Sequence, residues 1–405
     1  MKRNKTWNQH VVKKENKSLV LDTIRASSPI SRADIANQTG LNKGTVSSLV
    51  SELIEEKFIY ESGPGQSSGG RRPVMLIFNK VAGFSIGIDL GVNYILGVLT
   101  DLKGNVYAEQ FLRCKDLSFE TIKSKLFNII DSLISSAPNS PYGIIGIGVG
   151  VPGIINTEGD ILLAPNLEWK NIALKKIIEE NYSLPVIIEN EANAGAYGEK
   201  KLGVGKNFEH IIYVSVGIGI GVGMILNNQL FRGNNGFSGE LGHITIDFNG
   251  EECRCGNVGC WELYASEKSL IDIAESYGIK SISNEGLSIE HLINLAENGE
   301  NKVIHTFEQI GKNLGVGIHN IINIFNPQQI IIGNRMAMAE KWIQNSLYKR
   351  IAKAPWFQQK SLKINFSDLS THSSALGMTA FAIENFMHND PNENFGGIEF
   401  YETQQ

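Results

Sequence analysis

Apolar residues recur with a helical period three times in the first 55 positions, and then the pattern changes. Leu19, Val20 and Ile24 mark a helix over residues 18–26. Ser31 with Asp34 opens a second helix by a capping-box-like start, Asp standing where Glu or Gln is commoner. Thr39-Gly40 ends it, because Gly leaves a helix through left-handed dihedrals without steric cost. Asn42 caps a third helix, in which Val46, Leu49, Val50, Leu53 and Ile54 fall at i, i+3, i+4, i+7 and i+8. Its other face carries Lys43, Thr45, Ser47, Ser48 and Ser51, side chains able to reach phosphates and base edges. The pattern then turns strand-like at 58–60 and 74–78, around Gly63-Pro-Gly-Gln-Ser-Ser-Gly-Gly-Arg-Arg-Pro73. Arg71 and Arg72 at a Gly/Pro-rich hairpin tip suit a narrow minor groove, where the negative potential is enhanced. Residues 1–80 therefore read as a winged helix-turn-helix (α+β), against the alternative of a plain three-helix bundle with a linker.

Beyond residue 80, apolar strands alternate with helical stretches, the sign of an α/β architecture. Two Gly-rich strand–turn segments recur, at 84–91 and 211–223, and each is placed to begin one lobe of a two-lobed body. The longest apolar stretch, 144–155, is interrupted by Gly and by Pro152, so no membrane span is expected. The polar, basic start lacks the apolar core of a signal peptide, which favours a cytoplasmic address. Residues 389–405 read as a flexible tail.

Charge sharpens the division. Residues 1–80 hold 13 Lys and Arg against 7 Asp and Glu, whereas the remainder holds 24 against 35. A basic head on an acidic body confines attraction for polyanionic DNA to the head.

Of the four cysteines, Cys253, Cys255 and Cys260 lie within eight residues, a spacing that suggests metal more than disulfides in a reducing compartment. With His243 they form a complete tetrahedral set for Zn²⁺ that leaves no open position, hence a structural ion. A zinc hydrolase, which needs such a position, is set aside on that ground. Gly256 and Gly259 ease the turn.

Gly150-Val-Pro-Gly153, Pro165-Asn-Leu167, Glu189-Asn-Glu-Ala-Asn193, Gly239-Glu-Leu-Gly-His243 and Cys253-Arg-Cys-Gly-Asn-Val-Gly-Cys-Trp-Glu262 occur in this order. In order and spacing they resemble the ROK sugar kinases and repressors, over about residues 18–388. Within that family the chain looks most like the xylose repressors, through Ser67-Ser-Gly-Gly-Arg-Arg-Pro73, the 189–199 segment and Cys260-Trp-Glu-Leu-Tyr-Ala-Ser-Glu267. The resemblance implies a two-lobed actin-like (ribonuclease H-type) α/β fold with a sugar between the lobes. The first lobe would span 81–195 and be completed by a C-terminal helix at about 374–388. The second, with the zinc loop, would span 196–373. It implies Asn190, Glu191, Glu240, His243 and Glu262 as sugar ligands, with Gly153 and Asn166 secondary, and a second ring nitrogen of His243 turned to the sugar. Carboxylates and amides suit a polyol, whose hydroxyls each donate and accept.

Against the kinases of that family, four elements differ. Glu191 stands at the catalytic Asp, and Asp89-Leu-Gly-Val-Asn-Tyr94 at Asp-x-Gly-Gly-Thr-Lys. Gly217-Ile-Gly219 replaces Gly-Thr-Gly, and Gly333-Asn334 a Gly-Gly pair. The expectation is a non-catalytic repressor: a homodimer on a palindromic double-stranded operator, released by a sugar, with D-xylose favoured. The alternative is a sugar kinase carrying a DNA-binding head, for which the retained Asp89 argues.

Overall fold

The computed structural model describes residues 9–64, 73–156, 158–281, 286–352 and 362–388. The head runs α1 (Gln9–Ser27), β1 (Ile30–Ser31), α2 (Arg32–Thr39), α3 (Lys43–Glu55), β2 (Ile59–Pro64) and β3 (Val74–Phe78). Its helix limits are set locally. Ser31 Oγ accepts from the Asp34 amide, Gly40 sits at φ +73°, and Asn42 Oδ1 accepts from the Thr45 amide at 2.8 Å. Val46, Leu49, Val50 and Leu53 are buried, as the period requires.

Two features depart from the sequence reading. The first helix begins nine residues earlier than 18, at Gln9. Its added turns carry no apolar stripe to reveal them, but Lys13 pairs with Glu52 on α3 and Lys17 with Glu56 just beyond it. The hairpin also gains a strand, for β1 pairs antiparallel with β3 to give the order β1-β3-β2. The expected tip, including Arg71 and Arg72, lies outside the described residues, as does the tail 389–405.

The body holds two five-stranded sheets. The first is built from β4 (Phe84–Leu90), β5 (Tyr94–Asp101), β6 (Val106–Arg113), β7 (Ile144–Val151) and β11 (Val186–Asn190), in the order β11-β7-β4-β5-β6. It buries one face against α4 (Phe119–Ser136) and α5 (Leu174–Tyr182). Between β7 and α5, β8 (Ile154–Ile155), β9 (Ile161–Ala164) and β10 (Trp169–Ile172) form a small separate sheet. After α6 (Glu191–Lys201) come β12 (Ile211–Val216), β13 (Ile220–Leu226) and β14 (Gln229–Leu230). Then follow α7 (Glu262–Ala265), α8 (Glu267–Ser276), α9 (Ile289–Glu297) and α10 (Asn301–Phe325). β15 (Gln329–Gly333), α11 (Glu340–Ile351), β16 (Lys363–Phe366) and α12 (Ser373–His388) complete the chain, and the second sheet has the order β14-β13-β12-β15-β16. Its core gathers α10 and α11 around the fully buried Trp261 and Phe307. No described helix is long and apolar enough to cross a membrane.

α12 and α6 lie stacked between the two sheets, α12 against β4 and β7, α6 against β12 and β13. Glycine makes this packing possible. A Cβ on Gly87 would stand 2.0 Å from the Ala375 carbonyl oxygen, and one on Gly377 would stand 1.8 Å from that of Ala194. The expected lobe division at 195 falls inside α6, so this helix belongs to the junction. The last turns of α12 enter the head: Ile383 and Phe386 share one core with Val20, Leu53, Phe58 and Phe78.

Candidate functional site

The strand ends and loops facing the cleft carry the expected sugar residues. β11 ends on Glu189-Asn190, and α6 begins at Glu191. Asn190 Oδ1 caps α6 by accepting from the amides of Ala192 and Asn193, while its Nδ2 donates to the Gly153 carbonyl at 3.0 Å. The side chain thus ties the Pro152-Gly153 turn to the helix and keeps one amide hydrogen for a ligand. Gly153 is required there, since a Cβ would lie 2.5 Å from the Leu163 carbonyl oxygen.

Glu191 is half-buried as a residue, and its carboxyl is enclosed. Burial first, then the charges of Asp89 and Glu240, push its pKa up to about 8. The charge of Glu240, on the Gly-Glu-Leu-Gly-His loop, thus reaches the Glu191 carboxyl. Glu240 Oε2 is 3.9 Å from His243 Nε2, and Glu262 Oε1 is 3.6 Å from His243 Nδ1, so these three stand together. Asn166, half-buried on the 3-10 turn Pro165–Leu167, makes no hydrogen bond to them among the described residues.

His243, Cys253, Cys255 and Cys260 present one ligand atom each, all within 4.8 Å of one another. Cys253 Sγ lies 3.7 Å from His243 Nδ1, and Cys255 Sγ lies 3.7 Å from Cys260 Sγ. Ligands at about 2.0–2.3 Å around a tetrahedral ion are separated by roughly 3.5–3.8 Å, so the donor set fits a metal of that size. Gly256 (φ +88°) and Gly259 (φ +65°) occupy left-handed conformations in the loop, and a Cβ on Gly259 would overlap the Asp247 carbonyl.

Sequence reading missed two residues that organise this site. Glu189 is buried: its Oε1 accepts from the Asn190 amide and Asn193 Nδ2, and its Oε2 from Arg232 Nε at 2.7 Å. A carboxylate closing the apolar strand Val186–Asn190, and one arginine in a Gly/Asn-rich loop at 231–236, were the available signals.

Close to Glu191, whose pKa its charge helps to raise, Asp89 is buried, and one of its carboxylate oxygens accepts a hydrogen bond from Tyr94. Burial raises its pKa to about 6. A cavity of about 280 Å³ adjoins this point, lined by Tyr94, Ile218, Glu267, Glu290 and Arg335 among others. Arg335 spends its guanidinium on Glu267 and Glu290, at 2.9 and 2.7 Å. Asn334 sits at φ 61°, ψ −158°, a region close to glycine's own, held by hydrogen bonds to Ser215 Oγ and the Arg335 amide.

On the head, α3 turns Lys43, Ser47, Ser48 and Ser51 outward, with Thr45 half-buried. Ser51 Oγ donates to the Ser47 carbonyl at 3.0 Å, which leaves its oxygen free to accept.

The comparisons agree over most of the chain. The ROK family matches residues 85–385, and a winged helix-turn-helix DNA-binding family matches 14–60. The xylose repressor of Bacillus subtilis (strain 168) is 48% identical over 380 residues, covering 94% of this chain and 97% of that protein. A solved ROK family transcriptional regulator, a homologue of the E. coli MLC protein, superposes with a TM-score of 0.78 at 26% identity, over 93% of this chain and 97% of that one. A ROK family glucokinase from Streptomyces griseus, solved with glucose and AMPPNP, superposes at 0.68 with 25% identity, covering 75% of this chain and all of that one.

Proposed function

This chain belongs to the ROK family, and we propose that it represses a xylose-utilisation operon and is released from its operator by D-xylose. It is a sugar-responsive DNA-binding repressor; the operon, the sugar and the stoichiometry are our reading. The carrying observation is that the exposed small-polar face of α3 and the sugar cleft belong to units sharing one hydrophobic core, through α12. A change in the body is thereby transmissible to the head.

The steps follow from the residues. α3 enters the major groove, where Lys43, Thr45, Ser47, Ser48 and Ser51 meet phosphates and base edges, and Arg71 and Arg72 contact the minor groove beside it. A symmetric dimer reads the two halves of a palindromic operator. In the cleft, Asn190, Glu191, Glu240, His243 and Glu262 bond the hydroxyls of the sugar, with Gly153 and Asn166 shaping the near wall. His243, Cys253, Cys255 and Cys260 would hold Zn²⁺, which supplies a rigid cross-link and no open coordination position. With Nδ1 on the sulfur side, His243 Nε2 faces Glu240 and the cleft, so the cluster fixes the ring that meets the sugar.

We read the chain as a binder and not a kinase. Tyr94 occupies Asp89, Ile218 replaces a hydroxyl side chain at the cavity wall, and Arg335 is committed to two acids. The sugar must favour the DNA-free form, because equal affinity for both forms shifts nothing. Operator binding followed by fluorescence anisotropy over a sugar panel tests the reading: D-xylose should weaken binding by roughly 5–150-fold. No response to any pentose would remove it.

A further inference from the structure

We propose that Arg232 is the positioning residue that couples the sugar loop to the DNA-binding head, acting through the C-terminal half of α12. The proposal rests on the repressor reading above and adds the route. On one side, Arg232 grips Glu189 through Nε and a second guanidinium nitrogen, both at 2.7 Å. Glu189 in turn fixes the Asn190 amide and Asn193, so the guanidinium bears on the loop that presents Asn190 and Glu191. Arg232 itself follows β14 in the chain segment that leads to Glu240 and His243. It therefore ties the Glu189-Asn190-Glu191 loop to the chain segment that runs into the Gly-Glu-Leu-Gly-His loop.

On the other side, the guanidinium lies over the ring of Phe381 on α12, 5.7 Å from its centroid. Phe381 is stacked on Tyr197 of α6, centroids 3.9 Å apart and planes within 4°. The Tyr197 hydroxyl donates to Glu384, one turn further along α12, and Lys201 pairs with the same carboxylate. This cluster already touches the head. Phe381 packs against the core that holds Val20, Leu53 and Phe58 of the head, and Ser18 Oγ stands 3.1 Å from His388 Nδ1 at the end of α12. Phe386, between them, packs on Phe58 and Tyr142 with centroids 5.7 and 5.1 Å away. Tyr142 in turn donates to the Glu56 carbonyl just beyond α3.

A sugar drawing the two loops together must move Arg232 or break its grip on Glu189. Either event changes the contact on Phe381. The backbone-on-backbone packing of α12 against Gly87 and Gly148 makes that helix a stiff element, which passes a displacement on more readily than it absorbs one.

The test separates two equilibria: D-xylose affinity by isothermal titration, and operator affinity by anisotropy with and without saturating D-xylose. Arg232→Met keeps an apolar stem against Phe381 and removes the guanidinium. Glu384→Gln alters the α12 end through a residue whose partners, Tyr197 and Lys201, lie outside the pocket. Both variants should bind operator like the wild type in the absence of sugar, and Glu384→Gln, which touches neither sugar loop, should bind D-xylose as the wild type does. Their ratio of operator affinities without and with sugar should collapse from the roughly 5–150-fold range toward one. An unchanged ratio in both overturns the proposal. So does an Arg232→Met protein that has lost D-xylose binding beside a Glu384→Gln protein with the full ratio, since Arg232 would then serve the pocket alone. A wild type that does not respond to D-xylose is a different result, and it sinks the repressor reading itself.

Discussion

The Tyr94 hydroxyl donates to Asp89 Oδ2 at 2.6 Å, and the Tyr94 ring folds over Gly91, where a Cβ would stand 2.2 Å from it. Phe111 stacks on the outer side of the ring, centroids 5.8 Å apart. An aromatic plug thus sits on the carboxylate that a phosphoryl-transfer site would keep for its metal and phosphates. The protein with Mg²⁺ and ATP should form no sugar phosphate from D-xylose or glucose above a protein-free control in a coupled assay. Measurable turnover would reinstate the kinase alternative.

Glu191 and Asp89 carry raised pKa values, so the folded protein holds these protons more tightly than the unfolded chain does. As pH rises from about 4, the unfolded state releases protons first, and the fold loses stability until Glu191 itself ionises near 8. Glu191→Gln removes the larger part of this linkage. Melting temperatures between pH 5 and 8 should therefore fall less steeply in the variant than in the wild type. Parallel curves would show that the Glu191 carboxyl is already ionised in the fold.

Metal analysis of protein purified without chelator should find about one zinc per chain. Cys255→Ser, which changes the exposed member of the cluster, should lower both the zinc content and the melting temperature. It should also weaken the sugar response, because His243 loses its anchor. Zinc-free wild-type protein with full stability and response would count against the assignment.

Replacing Arg71 and Arg72 together by Ala should weaken operator binding at every salt concentration. The slope of log affinity against log salt should flatten by about one unit for each phosphate that the wing no longer neutralises. Ser47→Ala and Ser48→Ala should instead relax discrimination between operator and mutated sites, with little change in slope. The opposite pattern would exchange the roles of wing and helix.

Glu191 is one methylene longer than Asp, and xylopyranose lacks the hydroxymethyl group that glucose carries at C6. Glu191→Asp should shift preference toward hexoses by up to about 1–3 kcal/mol, while the zinc content stays unchanged. Titrating both proteins with D-xylose and glucose decides it. A fixed preference would leave D-xylose standing and remove this account of Glu191.

What the sequence determined by itself is local or is carried by complete motifs. The caps at Ser31, Gly40 and Asn42, the apolar stripe of α3 and the His243–cysteine set are legible because their partners lie within a few turns or one loop. The residues proposed to meet the sugar came from the resemblance of whole motifs to the ROK family and not from a chemistry that any of them shows alone. The tertiary structure alone decided what depends on distant segments. Lys13 and Lys17 extend α1 by meeting Glu52 and Glu56, Arg232 finds Glu189 forty-three residues away, and Phe386 closes a core begun at Val20. Tyr94 reads in sequence only as a lost lysine; the hydrogen bond to Asp89 turns it into a plug. Periodicity records which side of an element is buried and says nothing of what buries it. The layered helices α6 and α12 therefore had to be seen in place before the cleft and the DNA-binding head could be joined.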